Sequence, residues 1–507
     1  MKRKRRRSRP DQREGDGGGD ESAKKANSAP DICDDVLLSI FSRLSTRDAF
    51  RCAASLSKRH RQLIAGADFW LLHRRLNPPP PRPNMAYMVT VVEPKPASDR
   101  PPAPLLDLAL PRCAFRDFHH LTSDGNDGGG LRCSLVDRVH LRHKYAGTCN
   151  GVILLAPKTF NGGAPIVLFN PAAAGSEVEA RMELPDLPAK SGRYHVAGFG
   201  YGASSGAYRV LVTREERVVS PNETVKSYAA YRAKELLAYT LDGGGAPSAA
   251  QQRLRSVLPE LDAKKIGGKP VFLDGKVYLL ADHLRVLAFD ADDETVAVIE
   301  LPGERRPGNQ HQRHARSNLM QVSGRLCVAT GAGNLGDDLA LWLLAADRRE
   351  WVRLCELRWC GAISSKLAGA WDVGGVVLLH LVHRQSKTGY LHMYDTRNDE
   401  AYRRLNFPRM VAKQGGGSGR VLCWGYRPTL VSPGSIVGAP PLGRRGAGGA
   451  LAALDPMLER DVAAGRERTL EAVCFMNLLL YIMSKLPDNP LDVVNEIKGK
   501  SLPFSLR

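Results

Sequence analysis

The sequence predicts an α+β multidomain chain: three short helices near the N-terminus, an all-β, propeller-like repeat domain over most of the remainder, and a helix close to the C-terminus. Three observations carry that prediction. Apolar residues recur at helical spacing within 32–76, a glycine-centred hairpin unit recurs from residue 145 onward, and a last apolar run ends at Pro487.

In the helical part, Val36, Leu37, Ile40, Phe41 and Leu44 fall on one face of a 3.6-residue helix, with Asp34 and Asp35 at its positive start. Ser45, Thr46 and Asp48 offer cap or turn chemistry before Phe50, Ala53, Ala54 and Leu56, and Leu63, Ile64 and Phe69 to Leu72 form a third apolar set. So small a unit cannot bury all these side chains itself. Part of its apolar face is expected to serve a partner.

Residues 77–144 read as a linker. Pro78 to Pro81, Pro83, Pro94, Pro96, Pro101, Pro102 and Pro104 exclude helix and central strand from most of 77–104, and Asp124 to Gly130 reads as a loop. Within it, Met85 to Val92 is apolar enough for one strand lying against the next domain.

From 145 to 437 one unit repeats. Asn150-Gly151, Asp274-Gly275, Ser323-Gly324 and Gly374-Gly375 each precede two strand-like runs and carry the turn chemistry of a tight two-residue hairpin. Gly275 to Gly324 spans 49 residues and Gly324 to Gly375 spans 51. Four strands in a repeat of that length point to a kelch-like propeller blade. A further unit runs from Gly198-Phe-Gly-Tyr through Tyr208 to Leu236. Trp342, Trp351, Trp359, Trp371 and Trp424 are expected to wedge between blades. Beyond 438, the tail holds a helix apolar nearly all round, from Leu470 to Met483, expected to be buried.

Two resemblances follow from these residues. The run Ile32-Cys-Asp-Asp-Val-Leu-Leu-Ser-Ile-Phe-Ser-Arg-Leu44, with Ser57-Lys-Arg-His-Arg-Gln-Leu-Ile64, resembles an F-box, placing that module at 30–76. It departs from the usual pattern at Ile32-Cys33, at Ser45 and at His60, where F-boxes carry Leu-Pro, Pro and Trp. The repeat domain resembles the F-box-associated propellers of plant F-box proteins through Cys149-Asn-Gly, Phe169-Asn-Pro, Gly198-Phe-Gly-Tyr and Tyr426-Arg-Pro-Thr-Leu-Val-Ser-Pro433. These resemblances imply docking on a Skp-type adaptor, and through it a cullin ubiquitin ligase, by way of Ile32, Val36, Leu37, Ile40, Leu44, Leu56 and Ile64.

Composition excludes several classes. The 507 residues include 43% hydrophobic and 25% charged, enough for more than one globular unit. Net charge is +19, but Lys2, Arg3, Lys4, Arg5, Arg6, Arg7 and Arg9 cluster in the first nine positions, within a basic segment, 1–29, expected to be disordered. Its specific reading is a nuclear-import signal, with the nucleus and also the cytoplasm as location; nucleic acid is the lesser rival partner. Nothing resembles a secretory signal, and the run Ala472 to Met483 is too short to span a bilayer, so no membrane partner is expected. The ten cysteines form no Cys-x-x-Cys pair, so no metal is expected there.

Catalytic motifs are weak. Gly198-Phe-Gly-Tyr-Gly-Ala approximates a dinucleotide fingerprint but precedes a strand instead of opening a helix. The pairs His140/His143, His311/His314 and His380/His383 point to opposite faces of a strand. The expectation is a receptor without catalysis or cofactor, holding an unidentified target protein on the propeller. The alternative is a propeller scaffold that no longer engages a ligase. Among the longer blade-end loops, Val219 to Tyr231, Pro302 to Arg316 and Ala412 to Arg420, the second carries Arg305, Arg306, Arg313 and Arg316 as candidate target contacts.

Overall fold

A computed structural model of the chain describes residues 32–44, 49, 57–76, 85–92, 111–117, 132–134, 143–157, 165–170, 179–184, 192–218, 230–241, 254–263, 265–282, 284–302, 317–332, 338–347, 350–357, 365–383, 389–396, 400–406 and 420–438. Helices α1 (Asp34–Phe41), α2 (Lys58–Ala65) and α3 (Ala67–Leu76) come first. The third apolar set is thus two helices, broken at Gly66, which is extended at φ −67°, ψ 144°. Of the second expected helix only Ala49 lies among the described residues, and it is buried.

Between α3 and Trp424 the described residues are mostly strand. The described strands form six four-stranded sheets, all with antiparallel neighbours. β1 (Met85–Val92), β2 (Pro111–Asp117) and β3 (Arg132–Ser134) begin the first. The second is β4 (His143–Cys149), β5 (Val152–Pro157), β6 (Ile166–Phe169) and β7 (Glu179–Met182); the third is β8 (Arg193–Gly202), β9 (Ala207–Val218), β10 (Ala230–Leu241) and β11 (Leu254–Leu258). The fourth is β12 (Ile266–Leu273), β13 (Lys276–Ala281), β14 (Arg285–Asp290) and β15 (Val296–Glu300); the fifth is β16 (Asn318–Val322), β17 (Arg325–Ala332), β18 (Asp338–Leu344) and β19 (Trp351–Leu357). The sixth is β20 (Ser365–Val373), β21 (Val376–His383), β22 (Gly389–Asp395) and β23 (Glu400–Asn406). The last strand, β24 (Arg420–Trp424), returns to pair with β1, Met85 opposite Trp424, and completes the first sheet; a short helix, α4 (Pro433–Val437), follows.

The first strands of successive sheets adjoin: β4 with β8, β8 with β12, β12 with β16, β16 with β20, and β24 with β4. Sheets grouped about their first strands, with the last described strand completing the first sheet, make a propeller-like arrangement. This corrects the expected 77–144 linker, which contributes three strands to that sheet. Met85–Val92 was legible as a strand; its partner β24, at the other end of the chain, leaves no local signature.

The repeated dipeptides occupy the turns between first and second strands. Asn150 and Gly151 have φ of 47° and 76°, Asp274 and Gly275 49° and 75°, and the Ser323-Gly324 and Gly374-Gly375 pairs are also positive at both positions. Two successive positive φ values define the turn whose twist matches a β-hairpin. The Gly-Phe-Gly-Tyr phrase has another cause. A Cβ on Gly198 would lie 2.7 Å from Val277 Cγ1, and one on Gly200 2.5 Å from Val277 Cγ2. Alternate glycines on β8 therefore let the fourth sheet approach along one face, the close-contact role of strand glycine and not a cofactor cradle.

Polar contacts staple adjacent sheets. Arg209 on β9 donates through Nε to Glu294 Oε1 at 2.8 Å, and Asp292 Oδ1 accepts from the amides of Ser204 and Ser205 at 2.9 and 2.8 Å. Trp351 Nε1 donates to Glu300 O at 2.8 Å, so this tryptophan bridges two sheets as expected, with Trp342 packed in the same core. The side chains of Trp359 and Trp424 lie outside the described residues, as does the 466–487 tail. Among the described residues no helix is long and apolar enough to cross a membrane.

Candidate functional site

The site grows from α1. Cys33 is its extended N-cap, and Asp34 and Asp35 occupy the first turn, where the helix dipole favours negative charge. Arg59 on α2 donates through Nε to Asp34 Oδ1 at 2.8 Å and through Nη2 to Ile32 O at 3.1 Å, tying the starts of the two helices together. Both partners are about half exposed, so this pair orients more than it stabilises. Ser57 caps α2 by accepting from the His60 amide, and the His60 ring stands edge-on to Phe41 with centroids 5.7 Å apart.

The apolar face of α1 divides in two. Leu37 is buried, and Leu38, Phe41 and Leu44 pack on the core shared with the sheets. Val36 and Ile40, four apart, are neighbours on the surface of α1, and Ile32 lies just before its extended N-cap; the three stand 47%, 49% and 49% exposed.

The opposite side of the module is sealed against the body. Ile64, Phe69 and Trp70 share one core cluster with Cys149, Tyr201, Tyr208, Val431 and Ile436. Tyr201 OH donates to Asp68 Oδ1 at 3.0 Å; Tyr201 and Tyr208 have ring centroids 4.7 Å apart; and Asn150 Nδ2 donates to Tyr208 OH at 3.4 Å. Burial, with the Asp68 carboxylate beside it, pushes the Tyr201 phenol far above its ordinary pKa, so it remains a donor. His73 Nε2 donates to Leu44 O at 2.8 Å, with its pKa held down by burial.

Of the seven residues expected to dock a partner, Ile32, Val36 and Ile40 are about half exposed. The structure corrects Ile64 and Leu37, which are 0% and 7% exposed and serve the interior, and Leu44 is half-buried on the core. Leu56 lies outside the described residues, as do Arg305, Arg306, Arg313 and Arg316 and the basic run Lys2 to Arg7. The strands flanking the arginine segment are placed, however. β15 ends with Glu300 opposite Arg285, the end of its sheet away from Asp274-Gly275, and β16 begins with Asn318 opposite Ala329, the end away from Ser323-Gly324. The module sits at the other end, beside Tyr201, Asn150 and the Tyr208–Leu241 pair. The strand ends on either side of the arginine segment therefore lie on the side of the sheets away from the helices. Tyr201 and Asp68 were missed as site residues; the only sequence signal for Tyr201 was the Gly-Phe-Gly-Tyr phrase.

Among the described residues no three His, Cys, Asp or Glu side chains are grouped to hold a metal ion. His380 is buried within β21, and the glycines of β8 face a neighbouring sheet.

No family model and no curated protein matches the chain. Among solved structures, it is similar to an oligogalacturonate lyase from Vibrio parahaemolyticus, at 9% identity and a TM-score of 0.32 over 58% of this chain and 73% of that one. It is also similar to the dihydro-heme d1 dehydrogenase NirN, at 13% identity and a TM-score of 0.31 over 73% of this chain and 91% of that one. Likeness at this level assigns the chain neither an activity nor a partner.

Proposed function

We propose that the chain is an F-box-type substrate receptor. Its helical module docks a Skp-type adaptor, and through it a cullin, while the propeller-like body presents a target protein to the ubiquitin-charged enzyme. The observation that carries this reading is the group Ile32, Val36 and Ile40, exposed on a module whose other face is sealed. Exposed aliphatic side chains grouped at one element favour an interaction surface, and the order of residues around them resembles that of an F-box. The bond-making belongs to other subunits. This chain supplies proximity, raising the effective concentration of target lysines near the thioester. The side away from the module, where the strand ends flanking the segment with Arg305, Arg306, Arg313 and Arg316 lie, is the face for the target, and the basic run at Lys2 to Arg7 directs the protein to the nucleus, with a cytoplasmic share.

A second reading is a propeller scaffold that has lost the ligase. It is favoured by His60, a smaller and more polar ring at the position where the F-box pattern usually carries Trp. Co-purification of the full chain with a Skp-type adaptor decides between them. Capture is expected; wild-type protein that captures no adaptor overturns the receptor reading and leaves the scaffold.

A further inference from the structure

We infer that residues 425–437 latch the helical module, so that closing the ring of sheets and orienting the exposed Ile32, Val36 and Ile40 are one event. The segment begins where β24, paired with β1, completes the first sheet. It then crosses the first-to-second-strand turn of the second sheet. A Cβ on Gly151 would lie 2.5 Å from Thr429 Oγ1 and 2.6 Å from Arg427 O, so the segment presses on that turn with no room for a side chain. Thr429 Oγ1 donates to Asn150 O at 2.6 Å.

From there two routes reach the module. The polar one runs from Asn150 Nδ2 to Tyr208 OH, across the Tyr208–Tyr201 ring contact, to Tyr201 OH and the Asp68 carboxylate on α3. The apolar one is direct: Val431 and Ile436 share a single core with Ile64, Phe69 and Trp70, and the Arg427 charge is felt at His73. Neither route includes Ile32, Val36 or Ile40. The module's seat is thus built on a segment that is in place only when the two ends of the sheet region have met. Removing one partner of any of these part-buried hydrogen bonds strands the other.

The consequence for ligase geometry rests on the docking function proposed above; the latch does not. It is tested by hydrogen exchange with mass spectrometry on the full chain carrying Thr429→Val, which keeps the shape and removes the hydroxyl. Amides of 58–76 are expected to exchange about tenfold faster, those of β13 and β14 to be unchanged, and Thr429→Ser to restore protection. Tyr201→Phe, which removes one oxygen at the far end of the polar route, is expected to act in the same direction and carries the test should Thr429→Val fail to fold. Unchanged exchange of 58–76 in both folded variants overturns the latch, and so does faster exchange spread evenly over all sheets. Adaptor capture by the same variants is read in parallel. Its absence even in wild type would sink the docking proposal while leaving the exchange result to decide the latch.

Discussion

Asn170, at the end of β6, donates through Nδ2 to two backbone carbonyls of the closing segment, Thr429 O at 3.0 Å and Val431 O at 2.7 Å. The residue is fully buried, so no water can replace it at either carbonyl. One side-chain NH2 satisfying two acceptors explains why an amide stands here: a carboxylate would offer no donor and bring an unpaired charge. Asn170→Ala should destabilise the chain by about 2–4 kcal/mol, since two buried acceptors are stranded, and Asn170→Asp should cost at least as much. Urea unfolding followed by tryptophan fluorescence reads this directly; an alanine variant as stable as wild type would show that the clamp contributes nothing.

At Gly200 the same logic concerns space. Val277 Cγ2 lies 2.5 Å from where a Cβ would be, and Phe272 Cδ2 lies 3.3 Å away. Valine is stiff about χ1, and Val277 is fully buried, so it has little freedom to give way. Gly200→Ala should cost about 1–3 kcal/mol by overpacking. Gly275, by contrast, has open space around its Cβ position but a φ of +75°, so Gly275→Asn should be tolerated where Gly200→Asn is not. Melting temperatures of the two asparagine variants are the measurement, and equal losses would refute the distinction.

What was legible in the sequence follows from how local each signal is. The turn pairs Asn150-Gly151 and Asp274-Gly275 announced themselves because the required positive φ restricts residue choice at those positions. The phrases around Asn150, Asn170 and Thr429 were visible in order, but that they are one cluster was not, since 259 positions separate Asn170 from Thr429. Met85–Val92 was legible despite the prolines of 77–104, but its pairing with Arg420–Trp424 was not, since the partner is so far along the chain. On α1, periodicity marked a broad apolar face and could not divide it: Leu37 is buried and Phe41 packs on the core shared with the sheets, while Val36 and Ile40 stand exposed. Only the packed structure makes that division.

The seat of the module should depend on pH through His73. Burial lowers its pKa below the ordinary 6.5, with Arg427 nearby adding to the lowering and the bond to Leu44 O opposing it. The unfolded chain therefore takes up a proton at a pH where the folded one does not, and stability falls as pH decreases. The contribution of the neutral ring is complete above about 6.5 and is lost as pH drops through the lowered folded value. The melting temperature should fall more steeply from pH 7 to pH 5 in wild type than in His73→Gln. Parallel pH profiles would remove His73 from the account.

Deleting residues 2–9 should shift a fluorescently tagged chain from nucleus to cytoplasm while leaving adaptor capture intact, because the removed charges belong to neither the module nor the sheets described. A nuclear signal that survives the deletion would reduce those residues to a solvated basic tail.

The two sides of α1 predict opposite phenotypes for the same substitution. Ile40→Asp and Val36→Asp place a charge on side chains already about half exposed, so folding should change by less than about 1 kcal/mol while adaptor capture is lost, since docking would bury an unpaired carboxylate. Leu37→Asp, three positions from Ile40, buries its charge in the interior and should instead destabilise the module by about 3–5 kcal/mol, with capture lost only because the module unfolds. Circular dichroism melts beside adaptor pull-downs separate the two mechanisms. Retained capture by a folded Ile40→Asp, Val36→Asp double variant would show that these exposed side chains are not the docking face.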